Sequence, residues 1–266
     1  MDIQQFLGLE ETGDPTHWRL PVTEGVCTPL GFLYGGAGLA AGVAAMEAVT
    51  ARPVLWATAQ FLSSAYPPAV LELDVTPSEG AQIAQARVVA TADGAEVLLV
   101  AGAFGERPME AGGQWVSPPA PPPPETCPTR RHWHGEPTGV AARLDIRIAD
   151  GRRPDELDGT PGTGTTRLWV RAPGLDVVDG AALALLADYV PFGVGQALGQ
   201  RAGGTSLDTT LRVVRAPRRS PEWLLLDVHV AAVERGVAHG HLDMWTEDGT
   251  LLATAAQSAV VRFWRG

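Results

Sequence analysis

Lysine is absent from this chain of 266 residues, so all 20 basic side chains are arginine. A Walker-type phosphate loop needs a lysine amine on the nucleotide phosphates, and a pyridoxal enzyme needs one for its Schiff base; both chemistries are excluded. Cysteine is nearly as scarce. Cys27 and Cys127 are too few for a disulfide framework or a zinc cluster and read as unpaired thiols, Cys127 as an exposed one in a proline-rich segment. Positive charge is short as well: 30 acidic residues leave a net charge of −10, which disfavours attraction to nucleic acid or anionic lipid. The N-terminal MDIQQFLGLEETGD has neither a basic start nor an apolar centre, so no secretory signal is expected. Apolar runs are broken by Gly, Pro or charge before they reach bilayer length. The expectation is a cytoplasmic protein with no nucleic-acid or membrane partner.

The residues that are present describe a globular chain, 45% hydrophobic and 19% charged, long enough for one large domain or two ordinary ones. Proline supplies the clearest punctuation. SPPAPPPPETCP, residues 117–128, has four consecutive prolines flanked by Pro118, Pro119 and Pro128, and it predicts an extended, semi-rigid linker over 113–140. Repeats over 1–112 and 141–266 would lie on either side. Asp150–Thr165, rich in Gly, Pro and Asp, reads as a second loop. Between the two, Leu144, Ile146 and Ile148 alternate as in a strand.

The two halves share one plan. GGAGLAAGVAAMEAV (Gly35–Val49) predicts a helix that is apolar nearly all round, with Glu47 its one charge. VLWATAQFL, VLELDVTP, AQARVVATA and EVLLVAGAF follow as strand-like runs. In the second half GAALALLADYV (Gly180–Val190) predicts the helix, followed by SLDTTLRVV, WLLLDVHVAAV, VAHGHLDMW and TLLATAAQSAVVRF. The turn TADG precedes the last run of the first half and TEDG that of the second, as an internal duplication with an offset of about 150 residues would place them. A helix apolar on all sides is a buried helix. With an antiparallel meander behind it, the pattern implies an α+β fold in which each sheet curls around a central helix: a hotdog arrangement, twice in one chain.

Few polar residues interrupt these apolar segments. Asp188 is the only carboxylate between Ala181 and Leu198, and Pro191 forces the helix to end or kink close by. Burial and a nearby helix C-terminus would both raise its pKa, which suits a general base near neutrality; a backbone contact or an Arg partner is the structural alternative. Gln257 breaks the apolar face formed by Leu251, Ala253, Ala255, Ala259, Val261 and Phe263, and can either orient a reactant or serve as a satisfied core amide. Ser206 opens its strand and carries little weight alone; no G-x-S-x-G elbow surrounds any serine. His239, His241 and Asp243 share one strand face opposite the apolar Ala238, Leu242 and Met244, which turns the histidines toward solvent or a neighbouring strand rather than toward a metal. His132 and His134 lie beside the linker and define no site. Arg212, Arg215, Arg218 and Arg219 form a basic cluster that fits either a solvated strand end or the phosphates of a nucleotide handle.

Taken in order, FLYGGAGLAAG, LADYVP, SLDTTLRVVRAP with EWLLLDV, and TEDGTLLATAAQS resemble the acyl-CoA thioesterase II family, the double-hotdog hydrolases of acyl-CoA thioesters. The likeness spans most of the chain and fades between about residues 107 and 165 by motif position. It implies that Asp188, Ser206 and Gln257 hold an attacking water, Ser206 gaining its weight from the likeness alone. It further implies that Tyr34, Gly35 and Gly36 present backbone N–H groups to the thioester carbonyl. Gly102 stands opposite Gln257 in the TADG/TEDG register, so the first repeat lacks this trio. Thr209 departs from the His or Asn common in the family. The implied protein is a cofactor-free, metal-free acyl-CoA hydrolase, homodimeric, acting in lipid metabolism. Two other readings stand beside it. A hotdog dehydratase or hydratase would want a histidine on a central helix, where this chain has none; a non-catalytic acyl-thioester binder would bind without releasing thiol.

Overall fold

The computed structural model describes residues 1–78, 80–130, 137–216 and 222–264. The first half contains α1 (Ile3–Leu7), β1 (Glu10–Glu11), β2 (His17–Pro21), α2 (Gly35–Thr50), β3 (Val54–Phe61), β4 (Val70–Ser78), β5 (Ile83–Ala92) and β6 (Ala95–Gly105). The second contains β7 (Asp145–Asp150), β8 (Thr165–Arg171), α3 (Gly180–Leu185), α4 (Val190–Leu198), β9 (Ala202–Val213), β10 (Leu224–Glu234), β11 (Val237–Thr246) and β12 (Leu251–Phe263). All eight strand-like runs read from the sequence are strands. The short β1, β2 and β8 were not anticipated, because two to seven residues beside loops carry too little alternation to be seen.

The strands form one 12-stranded sheet in the order β1-β2-β4-β5-β6-β3-β9-β12-β11-β10-β8-β7. Counted inward from either edge, the order is the same once six is added to each strand number. The halves join through antiparallel β3 and β9, where Thr58 pairs with Thr210 and their hydroxyls lie 2.8 Å apart.

Small side chains let the sheet close around α2. Every residue from Gly36 to Met46 is buried. A Cβ on Gly42 would come within 2.9 Å of the Val100 side chain, so alanine and glycine here set how closely helix and sheet approach. Gly180–Leu198 together has the length and apolar composition of a membrane span, but it is mostly buried inside the protein. It is also not one helix.

Two expectations are corrected. Gly180–Val190 is not continuous: α3 ends at Leu185, and α4 starts at Val190 with Pro191 in its first turn, where a missing N–H has no intrahelical acceptor to lose. Pro191 therefore begins a second helix rather than closing the first. Cys127 is buried, not exposed. The proline segment folds onto the sheet, Trp169 Nε1 donates to Pro122 O at 2.9 Å, and Cys127 packs with Trp169, Trp223 and Trp245. Its thiol donates to Pro123 O at 3.3 Å, and burial pushes its pKa up.

Candidate active site

Asp188 projects from the break between α3 and α4, four residues (186–189) that belong to neither helix. Asp179 caps the start of α3 by accepting from Ala182 N at 2.8 Å, and α3 then ends after six residues. The N-terminus of α2 comes up against the break. A Cβ on Gly35 would lie 2.6 Å from Asp188 Oδ2, and one on Gly36 would lie 2.3 Å from Leu185 O, so only glycine allows this approach. Gly36 N donates to Asp188 Oδ2 at 3.0 Å, and Tyr34 Oη donates to the Asp188 carbonyl at 3.1 Å.

Two strands complete the shell. In β9, Ser206 Oγ donates to Asp188 Oδ1 at 2.8 Å. In β12, the Gln257 amide donates to the same Oδ1 and to Ser206 Oγ, the latter at 2.8 Å. Gln257 Oε1 accepts from Val190 N at 3.2 Å, which fixes the amide's orientation. A register shift helps to aim Ser206: Ser258 pairs with Asp208 but Ala259 with Ser206, leaving Leu207 as an extra, exposed residue. Every contact to the carboxylate is a donor, the pattern an ionised aspartate requires.

Burial is the dominant influence on this group. Asp188 is 8% exposed, and its pKa is pushed up to about 6 by desolvation, against the lowering effect of Ser206, Gln257 and Gly36. The expected helix-dipole contribution is reversed. Asp188 lies beyond the end of a six-residue helix and caps the N-terminus of the sixteen-residue α2, the pole that favours negative charge.

Asp188 and Ser206 face a cavity of about 700 Å³, whose apolar walls include Leu33, Phe61, Leu98 and Phe192. Gln257 does not line it and acts on it only through the other two. Of the aromatic-Gly-Gly turn, Tyr34 and Gly35 line the cavity; Gly36 does not, because its N–H is held by Asp188. Thr209 is fully buried opposite Gln257, and its hydroxyl has no hydrogen-bond partner among the described residues.

The other candidates lie elsewhere. His241 stacks on His229 with ring centroids 4.9 Å apart, and exposed His239 is 3.2 Å from Ser258 Oγ. Asp243 is half-buried, and desolvation raises its pKa. Among the described residues no group of three or more His, Cys, Asp or Glu has an arrangement to hold a metal. Arg212 and Arg215 are exposed and outside the cavity lining. Arg218, Arg219, His132 and His134 lie outside the described residues. None of the described histidines lines the cavity, which removes support from the dehydratase reading. Sequence reading missed Arg130, which lines the cavity from the end of the proline segment; no motif or periodicity marks it.

A buried helix wrapped by an antiparallel sheet is the hotdog arrangement. A hotdog-fold protein from Alicyclobacillus acidocaldarius superposes with a TM-score of 0.86 at 21% identity, covering 99% of this chain and 98% of that one. A protein assigned as a thioesterase from Novosphingobium aromaticivorans DSM 12444 is 31% identical over 96% of this chain and 98% of its own, with a TM-score of 0.81. The acyl-CoA thioesterase II TesB2 of Mycobacterium marinum matches at 22% identity, 99% of each chain and a TM-score of 0.73. The family profile of the acyl-CoA thioesterase C-terminal domain matches residues 121–261. The chain belongs to the acyl-CoA thioesterase family, and the enzyme class of that family is thioester hydrolase. A search of curated proteins finds no match.

Proposed function

We propose that the chain is a double hotdog, with repeats over 1–112 and 141–266 joined by a linker over 113–140, and that it hydrolyses acyl-CoA thioesters at Asp188. The repeated strand order and the TADG/TEDG correspondence support the division into repeats. One observation carries the catalytic reading: Asp188, Ser206 and Gln257 converge by direct hydrogen bonds at the wall of a cavity large enough for an acyl chain.

In this mechanism Asp188 takes a proton from water while the water oxygen bonds to the thioester carbon. The carbonyl π electrons move onto oxygen, and the N–H of Gly35, in the first turn of α2, donates to that oxyanion. When the carbonyl re-forms, the C–S bond breaks and the departing thiolate takes the proton from Asp188. Ser206 orients the water, and Gln257 holds both Asp188 and Ser206 from behind. No metal or covalent enzyme intermediate enters these steps. The proposed setting is the cytoplasm, in lipid metabolism, with a homodimer as the assembled form.

The test is thiol release from a straight-chain acyl-CoA series by the wild-type chain and by Asp188→Asn. Release by the wild type, lost in the variant with an unchanged circular-dichroism spectrum, is the expected result. Saturable acyl-CoA binding with no thiol release at any chain length would replace this mechanism with the binder reading.

A further inference from the structure

Arg130 is a charged group inside the cavity that the hydrolytic steps leave unused. Its main chain is pinned: Arg130 N donates to Ile146 O at 2.8 Å, and neighbouring Thr129 bridges to Arg147. The side chain reaches the cavity, its guanidinium carbon 4.4 Å from the centre of the Phe192 ring. Nε is buried and makes no hydrogen bond, and among the described residues no carboxylate lies within ion-pair distance of the guanidinium. Asp188, the carboxylate of the same cavity, is held by three other donors.

A guanidinium keeps its charge and offers five N–H donors in a planar fork, so the buried, unbonded Nε of half-buried Arg130 is unfavourable until an acceptor arrives. Among the described residues none supplies that acceptor. Its position indicates which part of a ligand does. Arg130 lines the same cavity as Tyr34 and Tyr189, which flank Asp188, and its guanidinium lies against Phe192, one of the apolar walls. It therefore stands among the apolar walls that would hold the acyl chain. The diphosphate of coenzyme A, separated from the sulfur by the whole pantetheine arm, belongs farther out.

We propose that Arg130 is a specificity residue that pairs with a carboxylate on the acyl chain, so that the preferred substrates are thioesters of short dicarboxylic acids. A carboxylate matches the guanidinium fork with two parallel hydrogen bonds, and the Phe192 ring holds the fork's plane. The assignment rests on the reading of this cavity as the acyl site of a thioesterase.

Binding and turnover separate the two claims. Calorimetric titration of the full-length Asp188→Asn chain would compare succinyl-, glutaryl- and adipyl-CoA with butyryl-, valeryl- and hexanoyl-CoA. The expected result is a preference of about tenfold or more for the carboxylate at one length at least, abolished by adding Arg130→Met and partly kept with Arg130→Lys. Equal affinity within every pair, a preference for the uncharged chains, or equal weakening of both classes by Arg130→Met would each overturn the assignment. Thiol release by the wild type is measured on the same six compounds. A binding preference without thiol release would leave Arg130 in place and remove the hydrolytic reading; release without any binding preference would do the reverse. Thermal melting checks the fold of Arg130→Met, with Arg130→Gln as the second variant, and the wild-type-side comparison stands without either.

Discussion

Each half carries a carboxylate whose pKa burial raises strongly, half-buried Glu47 in the first and buried Asp188 in the second, and only Asp188 faces the cavity. Glu47, near the end of α2, has its pKa raised to about 7 by burial, and its Oε1 accepts from Val54 N at 2.8 Å. Asp188 is raised to about 6 for the same main reason. Glu47 does not line the 700 Å³ cavity and Asp188 does. The strands differ in the same sense. Gln257 on β12 pairs with Thr209 and Gly240, whereas Gly102 on β6 pairs with Ala57 and Ala86. A raised pKa marks burial in both halves; hydroxyl and amide partners at a cavity distinguish one of them.

The largest test of this contrast is Asp188→Asn, which should lower thiol release by about a thousandfold, within the range for loss of a positioned general base. Glu47→Gln should leave release nearly unchanged when measured alongside it. Next, Gln257→Ala should cost roughly a hundredfold in kcat and, by stranding Val190 N, about 1–3 kcal/mol in denaturant unfolding. Ser206→Ala should be milder, about tenfold in kcat, because Gly36 and Gln257 still hold the carboxylate.

The pH dependence has two signs. Asp188 works as a base only when ionised, so log kcat/KM should rise with unit slope to about pH 6 and then level off; a flat profile through that region would exclude Asp188 as the titrating base. Stability runs the other way. The folded-state pKa lies above the unfolded value, so the native state binds more protons between about pH 4 and 6, and this group favours folding at low pH and loses that contribution as pH rises through about 6. The stability of Asp188→Asn relative to wild type should therefore increase across that window, on the order of 3 kcal/mol, in unfolding titrations at stepped pH. The smallest effect on activity is expected from Gly102→Ala. Its Cβ would sit 2.8 Å from Trp56 O, so a loss of about 1–2 kcal/mol in stability should accompany unchanged kcat.

Much of the architecture is legible in local pattern. The alternation in LLATAAQSAVVRF marks a strand with Gln257 facing inward, and Gln257 is 3% exposed. The same alternation ends early: Phe263, assigned to the inward face, is 59% exposed where the strand runs past the core. The absence of a second carboxylate between Ala181 and Leu198 singles out Asp188 without any coordinates. Its electrostatic setting could not be read in the same way, since the helix whose pole it faces begins at Gly35, 153 residues away in the chain. Ser206 is ordinary in sequence, and its aim depends on an extra residue in a ladder formed with a strand 50 residues later. Arg130 has no sequence signature, because what distinguishes it is its place in the cavity with no hydrogen-bond partner for Nε among the described residues.

The residue pattern by itself determined the longer strands, the buried helical segments and the one carboxylate that breaks an apolar stretch, because burial imposes a period of 2 or 3.6 on neighbouring residues. Tertiary structure alone decided that α3 and α4 are separate, that Gly36 serves Asp188, and that the proline segment delivers Arg130 to the cavity. Those outcomes depend on groups from distant parts of the chain approaching within 3 Å or so, and no local period encodes such an approach.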